Sequence, residues 1–163
     1  MFPTPKTDVI AFGGTMYPIA KWMPGVEHYS SPLLGFSEDW CAEFATQIRR
    51  PSILVGFSSG ANAVMSIAGQ SSLVVEAYAH SCQWKHPPIN YNCQYKLFIT
   101  KGDRTNTNRG TVQTRNYLLL KGASVSFRQL PMVRFPRPTY FERVYLTFLK
   151  HIFHNALPYL PSV

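Results

Sequence analysis

A short apolar run followed by a Gly-x-Ser-x-Gly motif constrains this chain more than any other feature. Residues 53–55 are Ile-Leu-Val, residues 56–60 are Gly-Phe-Ser-Ser-Gly, and small residues follow from Ala61 onwards. The apolar run is typical of a strand that is buried on both faces. Glycines on either side of Ser58 allow neighbouring backbone segments to approach closely. The motif therefore predicts a sharp strand-to-helix turn that presents the Ser58 hydroxyl at the edge of a sheet.

Length and composition predict a single folded domain over residues 1–163. The chain has 163 residues, of which 45% are hydrophobic and 14% are aromatic. A chain of this size buries about 70% of its unfolded surface, which is enough for a substantial core. It contains no apolar run long enough to span a membrane and no basic segment followed by an apolar one near Met1. We therefore expect a cytoplasmic protein without a membrane span or signal peptide.

The three cysteines do not form a recognisable metal or disulfide pattern. Cys41, Cys82 and Cys93 are odd in number and lack CxxC spacing, which argues against a disulfide framework and against a zinc site. We expect buried, reduced thiols, and we leave open a Cys82–Cys93 pair in an oxidising compartment. No metal ion or cofactor is expected.

The positive charge of the chain is concentrated in its C-terminal half. The formal net charge is +8, but residues 1–84 hold four basic and six acidic residues, whereas residues 85–163 hold twelve basic and two acidic residues. Such a field favours a phosphorylated or carboxylated ligand or an acidic protein surface. No tight cluster of basic residues interleaved with aromatic ones appears, so nucleic acid is a poor candidate. The alternative is that these charges are dispersed, solvated positions.

Apolar strand-like runs alternate with amphipathic helices along the chain. The pattern predicts strands at 8–12, 53–56, 73–79, 95–100 and 124–130, and helices at 37–49, 59–68, 111–121 and 139–153. This alternation predicts an α/β fold, a three-layer sandwich with a mostly parallel central sheet of about five strands. In such sheets the functional site lies beyond the carboxyl ends of the strands. The candidate positions at these ends are 13–15, Ser58, His80, 102–105 and 131–135.

Four segments of the chain resemble the α/β-hydrolase fold, in a small form that begins near the third strand of the usual sheet and has no lid insertion. They are residues 56–60, the Ile-Ala-Phe-Gly-Gly strand end at 10–14, the Leu-Phe-Ile-Thr-Lys-Gly-Asp strand end at 97–103, and Leu130-Pro131 leading into Phe141-Glu142. The resemblance implies that the Ser58 turn is a nucleophile elbow. It also implies an oxyanion hole made by the backbone amides of Ser59 and of Gly14 or Thr15.

The chain departs from the hydrolase pattern at the two partners that a nucleophilic serine needs. Relatives often read Gly-x-x-Asp after the penultimate strand, whereas this chain reads Gly-Asp-Arg-Thr at 102–105, so Thr105 occupies the place of the acid and Asp103 lies two residues earlier. After the last strand, Arg134 occupies the place of the histidine. Arginine cannot accept a proton near neutral pH, and a serine without a base is a weak nucleophile.

Two functional hypotheses follow. In the first, which we favour, the protein is a non-catalytic or impaired hydrolase homologue that binds an anionic ligand or a protein partner, with Arg104, Thr105 and Arg134 as candidate binding residues. In the second it is a serine hydrolase of a small carboxylic ester or thioester, in which Ser58 is the nucleophile and His80 and Asp103 form a non-standard relay. His80 is the best placed of the histidines because it follows the strand next to the elbow strand. The weaker candidates are His28 and His86, whereas His151 and His154 lie near the end of the last predicted helix and are not expected to be catalytic.

Overall fold

Six parallel strands form the central sheet of the protein. The structure, a computed structural model, describes residues 8–13, 27–83, 88–101, 105–131 and 148. The strands are β1 (Asp8–Phe12), β2 (Glu27–Tyr29), β3 (Ser52–Phe57), β4 (Val74–His80), β5 (Gln94–Thr100) and β6 (Val125–Leu130). They lie in the order β2-β1-β3-β4-β5-β6, and every pairing between them is parallel. The α/β prediction is confirmed, while the strand count of about five is too low.

The extra strand is β2, which the sequence pattern does not predict. Glu27–Tyr29 has only three residues and lies at the edge of the sheet, where its first two residues are exposed. A strand so short and polar has no apolar alternation, and its pairing with β1 comes from tertiary contact. The strand predicted at 73–79 lies one residue later in the structure, at Val74–His80, so that His80 is its last residue.

Three helices are described, namely α1 (Glu38–Gln47), α2 (Ser59–Gln70) and α3 (Thr105–Leu120). Ser37 caps α1, because its hydroxyl accepts a hydrogen bond from the backbone N–H of Trp40 at 3.1 Å. Helix α3 begins six residues earlier than the predicted 111, through a Thr- and Asn-rich segment that reads as a loop by propensity. The predicted helix 139–153 lies outside the described residues apart from Phe148, which is helical.

The three helices pack on one face of the sheet and share one apolar core with it. Buried residues of α1, α2 and α3 lie in the same cluster as Ile10, Leu54, Ala77 and Tyr95 of the strands. Because side chains alternate along a strand, the residues directly before and after each of these on its own strand point to the opposite face of the sheet. That face is also buried, and its ring cluster, described below, includes Phe148. Both faces are therefore covered, although the second helical layer of the predicted sandwich lies outside the described residues.

The thiols and the helix lengths bear on two further expectations. Cys41, Cys82 and Cys93 are buried and unpaired, and burial raises the pKa of Cys82 and of Cys93 to about 12. In the described part of the chain, no helix combines the length and the apolar character that crossing a bilayer requires.

Candidate functional site at the Ser58 turn

Ser58 forms the whole connection between β3 and α2. The strand ends at Phe57 and the helix begins at Ser59. Ser58 has φ 58° and ψ −118°, a positive φ that is uncommon for a residue with a side chain. Such backbone strain costs about 1–3 kcal/mol and tends to occur at functional sites. Although Ser58 is the N-cap residue of α2, its side chain makes no capping hydrogen bond, so its hydroxyl is not used to hold the helix.

The two glycines of the motif are required by close backbone approach. A Cβ atom on Gly56 would overlap the carbonyl group of Gly60, the second residue of α2. A Cβ atom on Gly60 would overlap the carbonyl oxygen of Phe12, the last residue of β1. The glycines therefore allow β1, β3 and α2 to converge around Ser58. This is the physical reason for the sharp turn that the motif predicts.

Ser58 lies where the order of the strands reverses. β1 and β3 are neighbours in register, with Phe12 opposite Gly56, although β2 lies between them in sequence. The backbone N–H of Ser58 donates to the carbonyl oxygen of His80 on the other neighbouring strand at 2.9 Å. Open α/β sheets bind their ligands at the carboxyl ends of the strands, at such a reversal point. The topology thus supports a ligand site at the Ser58 turn.

Ser59 opens α2 directly beside Ser58. Its hydroxyl donates a hydrogen bond to Ser31 Oγ at 2.8 Å, which attaches the segment after β2 to the helix. Its backbone N–H belongs to the first turn of a helix, where the helix dipole favours negative charge. Gly14 and Thr15, the other predicted oxyanion donors, lie outside the described residues.

His80 is buried in the opposite face of the sheet and has a polar partner at each ring nitrogen. Its Nε2 lies 2.7 Å from Thr100 Oγ1, and its Nδ1 lies 2.7 Å from Ser81 Oγ. The ring stacks on Phe57 with a centroid distance of 5.0 Å, and it lies 5.1 Å from the ring of Phe148. The side chain has no solvent exposure. Burial lowers the pKa of His80 to about 3, so the imidazole is neutral at ordinary pH.

The structure does not bring the His80 ring to the Ser58 hydroxyl. The two residues meet through the backbone hydrogen bond between Ser58 N–H and the His80 carbonyl oxygen. The other described histidine, His28, is exposed on β2, two strands away from β3. Within residues 8–13, 27–83, 88–101, 105–131 and 148, no side chain hydrogen-bonds to Ser58 Oγ. The described part of the chain therefore offers no imidazole base to Ser58.

The other predicted site residues are only partly described. Thr105 is the first residue of α3, just beyond the carboxyl end of β5 and so at the same edge of the sheet as Ser58. Asp103, Arg104 and Arg134 lie outside the described residues. Their assignments as acid or binding residues remain predictions.

Sequence reasoning did not single out the hydroxyl groups that hold His80. Thr100 ends β5, next to β4, and it is fully buried. Ser81 follows β4 directly and, like Ser58, has a positive φ, of 64°. Asn108 of α3 extends this network, because its side-chain amide donates to the carbonyl oxygen of Thr100 at 3.2 Å. The available signal was the presence of hydroxyl residues at adjacent strand ends, but nothing local indicated that they would meet one imidazole.

The case for a site at this edge of the sheet comes from local geometry. The positive φ of Ser58, the two close glycine contacts and the reversal of strand order all concern one turn. Comparisons of the chain with protein-family models, with curated proteins and with solved structures give no match.

Proposed function

We propose that the protein is an α/β-hydrolase-like protein that binds an anionic ligand or a protein partner at the Ser58 turn and does not catalyse ester hydrolysis. The state of His80 carries this proposal. Its ring is fully buried, each ring nitrogen lies 2.7 Å from a hydroxyl oxygen, and burial lowers its pKa to about 3. An imidazole in this state is a poor general base for a neighbouring serine.

The energetic cost of using His80 as a base supports the proposal. A neutral imidazole donates from one nitrogen and accepts at the other, so the Thr100 and Ser81 hydroxyls satisfy both positions. A proton taken from Ser58 would place a charge on a ring whose pKa is lowered from 6.5 to about 3. That difference corresponds to a cost on the order of 5 kcal/mol relative to a solvated imidazole. Loss of the base in a serine triad typically removes several orders of magnitude in rate.

The charges near the turn favour an anion over a neutral ester. The first turn of α2 carries no acidic residue, and its amides form the positive end of a 12-residue helix. Lys101 is exposed just beyond β5, at the same edge of the sheet. The formal net charge of +8 acts in the same direction over longer distances. A carboxylate or a phosphate can also accept a hydrogen bond from the Ser58 hydroxyl.

Ligand binding and ester turnover should be measured on the same three proteins. They are the unaltered protein, Ser58→Ala, and Ser126→Ala, which removes an exposed serine on β6 as a matched control. Calorimetric titration with butyrate and with inorganic phosphate should show binding to the unaltered protein. Ser58→Ala should weaken this binding about tenfold, because it removes a hydrogen bond to the charged ligand. Ser126→Ala should leave the binding unchanged. Hydrolysis of nitrophenyl acetate and nitrophenyl butyrate should stay at background in all three. Turnover that disappears only in Ser58→Ala would contradict the proposal.

A serine hydrolase of a small carboxylic ester or thioester is the second candidate. The observation that favours it is the strained φ of 58° at Ser58 together with a hydroxyl that does not cap α2. In this alternative His80 and Asp103 form the relay, so turnover should vanish in Ser58→Ala and also in His80→Gln. Turnover that is lost in Ser58→Ala and kept in His80→Gln would place the base elsewhere in the chain.

A further inference from the structure

A second exposed surface lies at the opposite end of the sheet from Ser58. Helix α3 runs from the carboxyl end of β5 to the amino end of β6, and its last turn leaves Leu119 55% exposed and Leu120 83% exposed. Tyr91, in the loop before β5, is 62% exposed and lies against the same helix end. We call Tyr91, Leu119, Leu120 and Lys121 the α3 cap. It presents large apolar side chains next to a cation.

The backbone of the α3 cap is held in place by hydrogen bonds. The Lys121 carbonyl oxygen accepts from the Tyr91 hydroxyl at 3.0 Å, and the Leu119 carbonyl oxygen accepts from the N–H of Gly122 at 3.1 Å. Gly122 has φ 78°, the left-handed conformation that ends many helices. Since these carbonyl groups already have donors, the cap presents side chains to its surroundings rather than unpaired backbone groups.

The surroundings of the α3 cap are basic. Arg115 lies one turn before Leu119 on the same side of the helix and covers the ring of Phe127, with its guanidinium carbon 4.7 Å from the ring centroid. At this end of the sheet, residues 88–93 and 113–124 contain no acidic residue and two basic ones, Arg115 and Lys121. Lys96 is paired with the buried Glu76. The charge of this region therefore complements an anionic surface.

We propose that the α3 cap docks on an anionic lipid surface. The two leucines and the Tyr91 ring enter the interfacial layer, and Lys121 and Arg115 lie at the level of the headgroup phosphates. The combination selects lipid over nucleic acid, because a phosphate backbone gives exposed leucines nothing apolar to contact. This docking goes beyond the proposed function and leaves the Ser58 turn, at the other end of the sheet, open to its ligand.

A second pair of exposed leucines supplies an internal control. Leu33 and Leu34 form the tip of a turn near Ser59 and are 84% and 98% exposed, which is more than either leucine of the α3 cap. However, the exposed acids Glu38 and Asp39 follow them closely in α1. If exposed leucine alone determined membrane binding, this pair would dominate. If leucine and positive charge are both required, the α3 cap dominates.

Vesicle sedimentation tests the proposal with the full chain. The vesicles are phosphatidylcholine alone and phosphatidylcholine with phosphatidylserine, and the variants are Leu119→Ser/Leu120→Ser, Leu33→Ser/Leu34→Ser and Lys121→Glu. We expect binding to the anionic vesicles that weakens with salt. It should fall about tenfold or more in the Leu119→Ser/Leu120→Ser variant and about tenfold in Lys121→Glu, and it should be unchanged in the Leu33→Ser/Leu34→Ser variant and in Ser58→Ala.

Several results would overturn the proposal. One is the absence of binding to anionic vesicles, and another is equal binding to both vesicle types. Equal losses in the two leucine double variants would show that charge does not select the site. Binding to poly-glutamate that is as strong as binding to vesicles would indicate an acidic protein instead. A dimer in solution that dissociates only when Leu119 and Leu120 are replaced would show that a second copy covers the cap. Lys121→Glu keeps the test valid if the double variant does not fold.

Discussion

The buried, neutral state of His80 predicts that this residue makes its own contribution to the loss of stability on acidification. The perturbation is His80→Gln, because an amide side chain keeps a donor and an acceptor for the hydroxyls of Thr100 and Ser81 but does not titrate. His28→Gln, which removes the exposed histidine of β2, is the matched control. The quantity to compare is the change in the free energy of unfolding between neutral and acidic pH.

The magnitude follows from the two pKa values of the imidazole. Burial lowers the pKa of folded His80 from 6.5 to about 3. Below pH 6.5 the unfolded chain takes up a proton that the folded protein does not, so the stability present above that pH is lost as the pH falls towards 3. The slope in this window is about 1.4 kcal/mol for each pH unit. Between about pH 7 and about pH 4.5 the loss amounts to roughly 2.5 kcal/mol.

Urea unfolding at these two pH values measures the effect. Carboxyl groups titrate in all three proteins, so the difference between the unaltered protein and His80→Gln isolates the imidazole. The unaltered protein and His28→Gln should each lose roughly 2.5 kcal/mol more than His80→Gln does. Equal losses in the unaltered protein and His80→Gln would show that His80 is solvated or charged in the folded state. The argument that it cannot serve Ser58 as a base would then have no support.

Two further substitutions test the packing that forms the site and the sheet. Gly60→Ala places a Cβ atom against the carbonyl oxygen of Phe12, so it should lower the free energy of unfolding in urea by about 1–3 kcal/mol. The control is Gly122→Ala, where the added atom meets nothing and the positive φ of 78° alone should cost about 1 kcal/mol. Equal losses in the two variants would contradict the close approach at Gly60. Lys96→Met removes the ammonium group that lies 2.9 Å from a carboxylate oxygen of the buried Glu76, so it should lower the free energy of unfolding by about 2–3 kcal/mol. The double variant Lys96→Met/Glu76→Gln should recover most of that loss. If it recovers none, the two side chains are not coupled.

The turn at the centre of the site was predictable because its determinants are local. The apolar run of β3, the glycines at 56 and 60 and the small residues of α2 are contiguous, and each acts on the backbone next to it. The Ser37 cap was predictable for the same reason. Strand β2 was not, because Glu27–Tyr29 is polar and becomes a strand only by pairing with β1.

The environment of His80 could not be derived from sequence. Its position at a strand end is a local property, and the predicted strand at 73–79 ends within one residue of it. Its burial depends on Phe57, Phe148 and Thr100, which come from three separate parts of the chain. A histidine at a strand end is therefore compatible with a catalytic base and with a neutral core residue. Only the tertiary packing distinguishes the two, since it decides whether the ring faces solvent or apolar side chains.

Covalent labelling of Ser58 tests most directly whether the hydroxyl is presented without being activated. The protein and its Ser58→Ala variant are incubated with a fluorophosphonate, and the adducts are measured by intact mass and located by peptide mapping. We predict that the peptide containing Ser58 carries no more adduct than the peptide containing the exposed Ser126. A stoichiometric adduct on Ser58 that is absent from Ser58→Ala would show that a base activates this serine, and it would contradict the proposed function.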